Sequence, residues 1–269
     1  MDRIKQALDK ARSEQSTIAV NRGGEGGKRS ENVAEEDIKY SQTRVCELDP
    51  LVLRENRVIF GETDRAGLSA YKMLRTQVLQ RMTAHGWNAL AVTSPMAADG
   101  KTLTSINLAI SLARELHHTV LLVDMDLRNP SIHKYFGFRP EKGISDCLLH
   151  GTPMGDALIN PGIDRLVVLP GRESVENSSE ILASPAVGRL VHELKNRYPS
   201  RMVLFDLPPI LAADDALSFA PFVDAFLLVV RDGRTTNTAL EQSLDIMKDI
   251  TLIGSVLNGA EERQNTYYY

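Results

Sequence analysis

Residues 93–105, TSPMAADGKTLTS, join an apolar run to a helical one. Before them stands ALAVTS (89–94); after them Leu103, Ile106, Ile110 and Ala113 recur at the spacing of an amphipathic helix that docks on a sheet. Gly100-Lys101-Thr102 therefore sits at a strand-to-helix junction, where a phosphate-binding loop ends. Backbone N–H groups at a helix start hold phosphate oxygens, a lysine reaches the outer phosphates, and a Thr hydroxyl ligates Mg²⁺. The full G-x-x-x-x-G-K-[S/T] pattern needs glycine where Pro95 stands. A Gly-Lys-Thr tripeptide taken alone reads better as a capping arrangement.

Two acidic sites change that balance. LLVDMDLR (121–128) delivers Asp124 and Asp126 from the end of a second apolar run, and MVLFDLPP (202–209) delivers Asp206 from a later one. Each aspartate alone is an ordinary cap or turn residue. Together with Thr102, three carboxylates at strand ends supply the oxygen ligands that hard Mg²⁺ takes beside substrate phosphates.

The surrounding pattern supports the placement. Apolar runs at 89–94, 119–124, 166–170, 202–208, 225–230 and 252–258 alternate with helical stretches near 64–82, 101–116, 185–197, 214–221 and 236–249. Unbroken Val/Leu runs imply strands buried on both faces, hence an α/β fold: a three-layer sandwich with a mostly parallel central sheet. Ligands of such sheets bind at the carboxyl ends of the strands. NRVIF (56–60) reads as one more short strand, and Leu68, Tyr71, Leu74, Val78 and Leu79 share one side of the helix at 64–82.

Composition excludes several classes. A net charge of −4 over 269 residues offers no basic field for nucleic acid. Cys46 and Cys147 lack CxxC spacing, so free thiols are expected rather than a disulfide framework or zinc site. No apolar run nears the ~18 residues that cross a bilayer, and MDRIKQALDKAR at the start lacks a signal peptide's apolar core. A cytoplasmic protein is expected, with no membrane span of its own. Residues 1–39 read as a short amphipathic helix and a Gly-rich, charged linker, 40–262 as the folded domain, and 263–269 as a flexible tail ending in Tyr267, Tyr268 and Tyr269.

With these residues in order, the chain resembles the bacterial tyrosine kinases of polysaccharide synthesis, a P-loop branch shared with the MinD and ParA ATPases. The resemblance covers roughly 60–269 and rests on AVTSPMAADGKT, LLVDMDLRNP, GISDCLLHG, LPGRESVENSSEILASP, VLFDLPP, LLVVR and the terminal YYY. It implies an ATP- and Mg²⁺-dependent autokinase that phosphorylates Tyr267, Tyr268 and Tyr269 and regulates exopolysaccharide or capsule polymerisation and export. Lys101, Asp124, Asp126 and Asp206 would be catalytic, and Thr102, Asp124 and Asp206 would hold the metal. Ala98, Asp99, Gly100, Lys101, Thr102 and Leu103 would bind the nucleotide, with Arg231 and Asn258 near its base. The resemblance also implies a homo-oligomer, a cognate tyrosine phosphatase, and recruitment to the inner face of the membrane. The recruiting partner would be the cytoplasmic segment of a membrane polysaccharide co-polymerase, the chain-length determinant.

Two departures stand out. The family's loop reads Pro-Gly-Glu-Gly-Lys where this chain has Ala97-Ala98-Asp99-Gly100-Lys101. If position 98 requires positive φ, alanine costs roughly 1–2 kcal/mol, about tenfold in nucleotide affinity. The family's E-x-x-R-x-x-R assembly helix is replaced by Ser69, Lys72 and Arg75, so the acid is gone and Lys72 cannot reproduce a bidentate arginine contact in a ring. Two other readings remain open: a MinD/ParA-type ATPase, whose additional loop lysine is Met96 here, and a degenerate, non-catalytic nucleotide-binding adaptor.

Overall fold

The computed structural model describes residues 43–60, 65–115, 118–198 and 200–260. These lie within a unit spanning residues 40–269. The N-terminal helix, the linker and the tyrosine tail expected from the sequence lie outside them.

In chain order the described elements begin with β1 (Arg44–Val45), α1 (Pro50–Glu55), α2 (Arg65–His85), β2 (Ala89–Thr93), α3 (Lys101–Ala113) and β3 (Thr119–Asp124). Four short helices and two strands follow: α4 (Ile132–Phe136), α5 (Ile144–His150), α6 (Met154–Ala157), β4 (Ile159–Asn160), β5 (Leu166–Leu169) and α7 (Ser178–Leu182). The chain continues through α8 (Pro185–Asn196), β6 (Arg201–Asp206), α9 (Asp215–Phe219), a 3₁₀ turn at Ala220–Phe222, β7 (Ala225–Arg231), α10 (Asn237–Ile246) and β8 (Leu252–Asn258).

The strands form one eight-stranded sheet in the order β1-β4-β5-β3-β6-β2-β7-β8. All neighbours run parallel except β4 and β5. β2 and β3 are buried along their whole length because their residues alternate between two cores. Leu90, Val92, Val120 and Leu122 pack beneath α2 and α3, whereas Ala89, Ala91, Leu121 and Val123 face α8 and α9 on the other side. Helices on both faces of a mostly parallel sheet make the α/β sandwich expected from the unbroken Val/Leu runs.

Helix starts follow local chemistry. Asp49, Ser184 and Thr236 cap α1, α8 and α10 by accepting backbone N–H groups, and proline opens α1 and α8. One expected strand is absent: NRVIF is a turn and irregular chain. Val58 and Ile59 are buried there, but the Ile59 N–H donates to Asn107 Oδ1 at 2.9 Å instead of joining a ladder. Among the described residues, no helix is long and apolar enough to cross a membrane.

Candidate nucleotide and phosphoryl-transfer site

β3, β6 and β2 are adjacent at the middle of the sheet, and their carboxyl ends converge beneath the loop that leads into α3. Asp124 stands opposite Asp206 in the β3–β6 register, and Val92 of β2 stands opposite Asp206 on its other side. Crossover connections put all three ends on one edge, so the sequence positions 101, 124 and 206 become neighbours.

The side chains interlock. Lys101 Nζ donates to Asp126 Oδ2 at 2.8 Å and lies 3.5 Å from Asp206 Oδ2. Thr102 Oγ1 donates to Asp206 Oδ2 at 2.7 Å, and Ser105 Oγ donates to Asp206 Oδ1 at 3.1 Å. Asp124 Oδ2 accepts the backbone N–H groups of Ser131 (2.9 Å) and Ile132 (3.0 Å), while Asp126 Oδ1 accepts that of Asn129 (3.0 Å). Asp124 Oδ1 is buried and has no hydrogen-bond partner.

Electrostatics make the cluster short of positive charge: three carboxylates face one ammonium. Burial, reinforced by the Asp206 carboxylate, pushes Asp124 up to about 7. Burial also raises Asp206, against the pull of Lys101 and the Thr102 hydroxyl. Lys101 moves the other way from what burial alone would do; Asp206 and Asp126 outweigh the loss of water and hold it charged. The orphaned Asp124 oxygen and the all-oxygen donor set of Thr102, Asp124 and Asp206 fit a hard divalent cation. No group of three or more His, Cys, Asp or Glu forms a closed metal cage among the described residues. Mg²⁺ rarely uses one, since it keeps waters and takes one or two carboxylates beside phosphate oxygens.

The loop supplies the anion side. α3 starts at Lys101 with no side-chain cap on Gly100, so its first-turn N–H groups have no intrahelical acceptor. The Leu103 side chain packs on the core, which leaves its backbone N–H as the group it can offer an anion. Gly100 adopts φ 99°, and a Cβ there would sit 2.0 Å from Asn258 Nδ2. Ala98 adopts φ 64°, so the position does require the left-handed conformation that glycine would take freely. Arg231 and Asn258 also reach this loop, where Arg231 Nη1 donates to the Ala98 carbonyl at 3.1 Å and Asn258 Nδ2 to the Asp99 carbonyl at 2.9 Å. Asp99 turns inward, accepting the Met96 N–H at 2.9 Å. The three tyrosines lie outside the described residues.

Several contributors are not evident from the motifs. Ser105 stands one helical turn after Lys101, a spacing that could have exposed it. Ser131 supplies a backbone N–H to Asp124 and approaches Thr102 Oγ1 at 3.4 Å. Gly171 closes over Asp124: a Cβ there would lie 2.3 Å from Pro130 Cβ and 3.4 Å from Asp124 Cγ. Arg128 grips fully buried Asp215, which also accepts the Ser178 hydroxyl, and so ties the segment after Asp126 to α7 and α9. On α2, Arg75 is turned inward, donating to the Ser111 carbonyl at 3.2 Å and pairing with Glu115 at 2.7 Å.

No family model matches the chain. It is similar to the tyrosine-protein kinase CpsD of Streptococcus agalactiae, 30% identical over 181 residues, covering 66% of this chain and 78% of that protein. Among solved structures it is similar to the kinase domain of the Escherichia coli tyrosine kinase ETK, with TM-score 0.68 and 28% identity over 75% of this chain and 79% of that one. The septum site-determining protein MinD of Pyrococcus horikoshii OT3, complexed with Mg-ADP, shares the fold at TM-score 0.54 and 23% identity, over 65% of this chain and 72% of that one. The interlocked Lys101, Thr102 and aspartates, the loop geometry and these similarities agree: the chain belongs to the bacterial tyrosine kinase family.

Proposed function

We propose that this protein is an ATP-dependent protein-tyrosine autokinase whose acceptors are Tyr267, Tyr268 and Tyr269. The observation that carries the reading is the convergence of Lys101, Thr102, Asp124, Asp126 and Asp206 beneath the α3 N-terminus. In this reading the N–H groups of the loop and of the first turn of α3 hold the phosphates, and Lys101 exchanges its Asp126 partner for phosphate oxygens. Thr102, Asp124 and Asp206 would hold Mg²⁺, which would offset charge on the phosphates. Asp126 is then left to accept the proton of the incoming phenol. Arg231 and Asn258 border the nucleotide. Catalysis is mostly positioning and charge neutralisation.

The family reading extends to the domain boundaries, 40–262 for the kinase domain and 263–269 for the acceptor tail. It extends also to regulation of capsule or exopolysaccharide polymerisation and export. A membrane co-polymerase would recruit the protein to the cytoplasmic face of the membrane, self-association would let one protomer's tail enter another's site, and a cognate phosphatase would reset the tail. Each phosphate adds about −1.5 to −2 charge, so three convert the terminus into a strongly anionic one.

Purified protein incubated with Mg-ATP and read by mass spectrometry tests the reading. Phosphate on Tyr267, Tyr268 or Tyr269 is the expected result. Phosphate release with an unmodified tail would identify an ATPase, and nucleotide binding without turnover an adaptor. Met96, in place of the lysine that ATPases of the MinD type carry, argues against the first.

A further inference from the structure

The phosphate loop holds an alanine at φ 64°, a conformation that alanine disfavours and that must be imposed by its surroundings. Two side chains from the sheet bond to this stretch of backbone. Arg231 ends β7 and Asn258 ends β8, and the two are paired directly in the parallel register, so both project from the same face of the sheet. Arg231 bonds the Ala98 carbonyl and Asn258 the next one, that of Asp99. The Arg231 main chain is itself fixed, since its N–H donates to Thr235 Oγ1 at 2.8 Å and its carbonyl accepts the Thr235 N–H at 2.9 Å. Asp232 N–H donates to the Asn258 carbonyl at 2.9 Å, joining the two strand ends.

We propose that Arg231 and Asn258 are positioning residues forming a strap that holds the Ala98–Gly100 backbone in its phosphate-binding shape, so that Arg231 offsets the alanine that stands where the family has glycine. The strap acts on nucleotide through the loop rather than through the base. It rests on the kinase reading only for the identity of the ligand. With Arg231 in place, the strain at Ala98 is already imposed on folding; without it, the unbound loop relaxes and binding must restore the strained shape.

The test crosses Arg231→Met, which keeps the stem and removes the donors, with Ala98→Gly. Mg-ADP binding is measured by calorimetry, and hydrogen exchange of the peptide over 94–101 is measured without nucleotide. Arg231→Met is expected to weaken Mg-ADP about tenfold when Ala98 is present but about twofold or less when combined with Ala98→Gly, because a left-handed glycine needs little holding. Arg231→Lys, with one donor group, should recover part of the loss. Exchange over 94–101 should quicken in the Arg231→Met single variant. Equal losses in both backgrounds, or a changed preference for ADP over GDP, would overturn the strap in favour of base contact. Unchanged exchange would overturn it even if the protein bound no nucleotide, a result that would instead count against the kinase reading.

Discussion

The phosphate loop and the Ser69, Lys72 and Arg75 row of α2 both depart from the family's pattern, and the structure treats them in opposite ways. At Ala98 an alanine occupies a left-handed backbone position, φ 64°, with Arg231 bonded to its carbonyl. On α2 the backbone is an ordinary helix and the side chains decide what the face does. There Arg75 binds Ser111 and Glu115 of its own chain, fastening α2 to the α3 region. A site built from backbone can survive a poor residue by tolerating strain, whereas a surface built from side chains takes on whatever role the new residues allow. Charge differs as well, since three carboxylates face one ammonium in the site whereas Arg75 is matched by Glu115. Substitutions that relieve strain or buried charge in the site should therefore stabilise the fold, whereas removing the α2 arginine should destabilise it.

The largest effect is expected at Asp124. Its folded pKa of about 7 lies above the ordinary 3.8, so the folded state favours the protonated form, and that contribution is lost as pH rises through about 7. In metal-free buffer at pH 8, Asp124→Asn should stabilise the protein by about 2–4 kcal/mol, and in a separate assay with Mg-ATP it should abolish phosphorylation. The gain should shrink towards zero as pH falls from 7 to 4, which thermal unfolding across that range would check. Next comes Gly100→Ala, which sets a Cβ against Asn258 at φ 99°; nucleotide binding should weaken by about 2 kcal/mol, or about thirtyfold, by calorimetry. Ala98→Gly should raise stability by about 1 kcal/mol with little change in affinity while Arg231 is present. A tenfold gain in affinity instead would restore the expectation drawn from the sequence and break the strap. The smallest effect is expected from Arg75→Ala, a loss of about 0.5 kcal/mol in thermal unfolding with no change in oligomeric state by sedimentation. Dissociation of an assembly would show that this face serves partners after all.

Much of this was legible in the sequence because it obeys long-range regularities. Runs such as TVLLVD, apolar on both sides of the pleat, announce interior parallel strands, and three aspartates at the ends of such runs must meet at one edge of the sheet. The need for positive φ at position 98 was also readable, as a glycine position filled by alanine. What escaped lacks period or length. β1 and β4 are two residues each, and α4 to α7 span between four and seven, too short for a helical repeat to show. NRVIF misleads because Val58 and Ile59 are buried as a strand's would be, yet the Ile59 N–H finds its partner in the Asn107 side chain. Gly171 and Ser131 matter through close approach and backbone N–H groups, which no local pattern encodes.

If Lys101 and its carboxylates move phosphate from ATP to the terminal tyrosines, removing the ammonium should end the transfer. Wild-type protein and Lys101→Met, each purified and given Mg-ATP, should differ completely when phosphate on Tyr267, Tyr268 and Tyr269 is counted by mass spectrometry. Phosphotyrosine in the wild type and none in Lys101→Met is the expected outcome; equal phosphate on both, or none on either despite ATP turnover, would refute the kinase assignment.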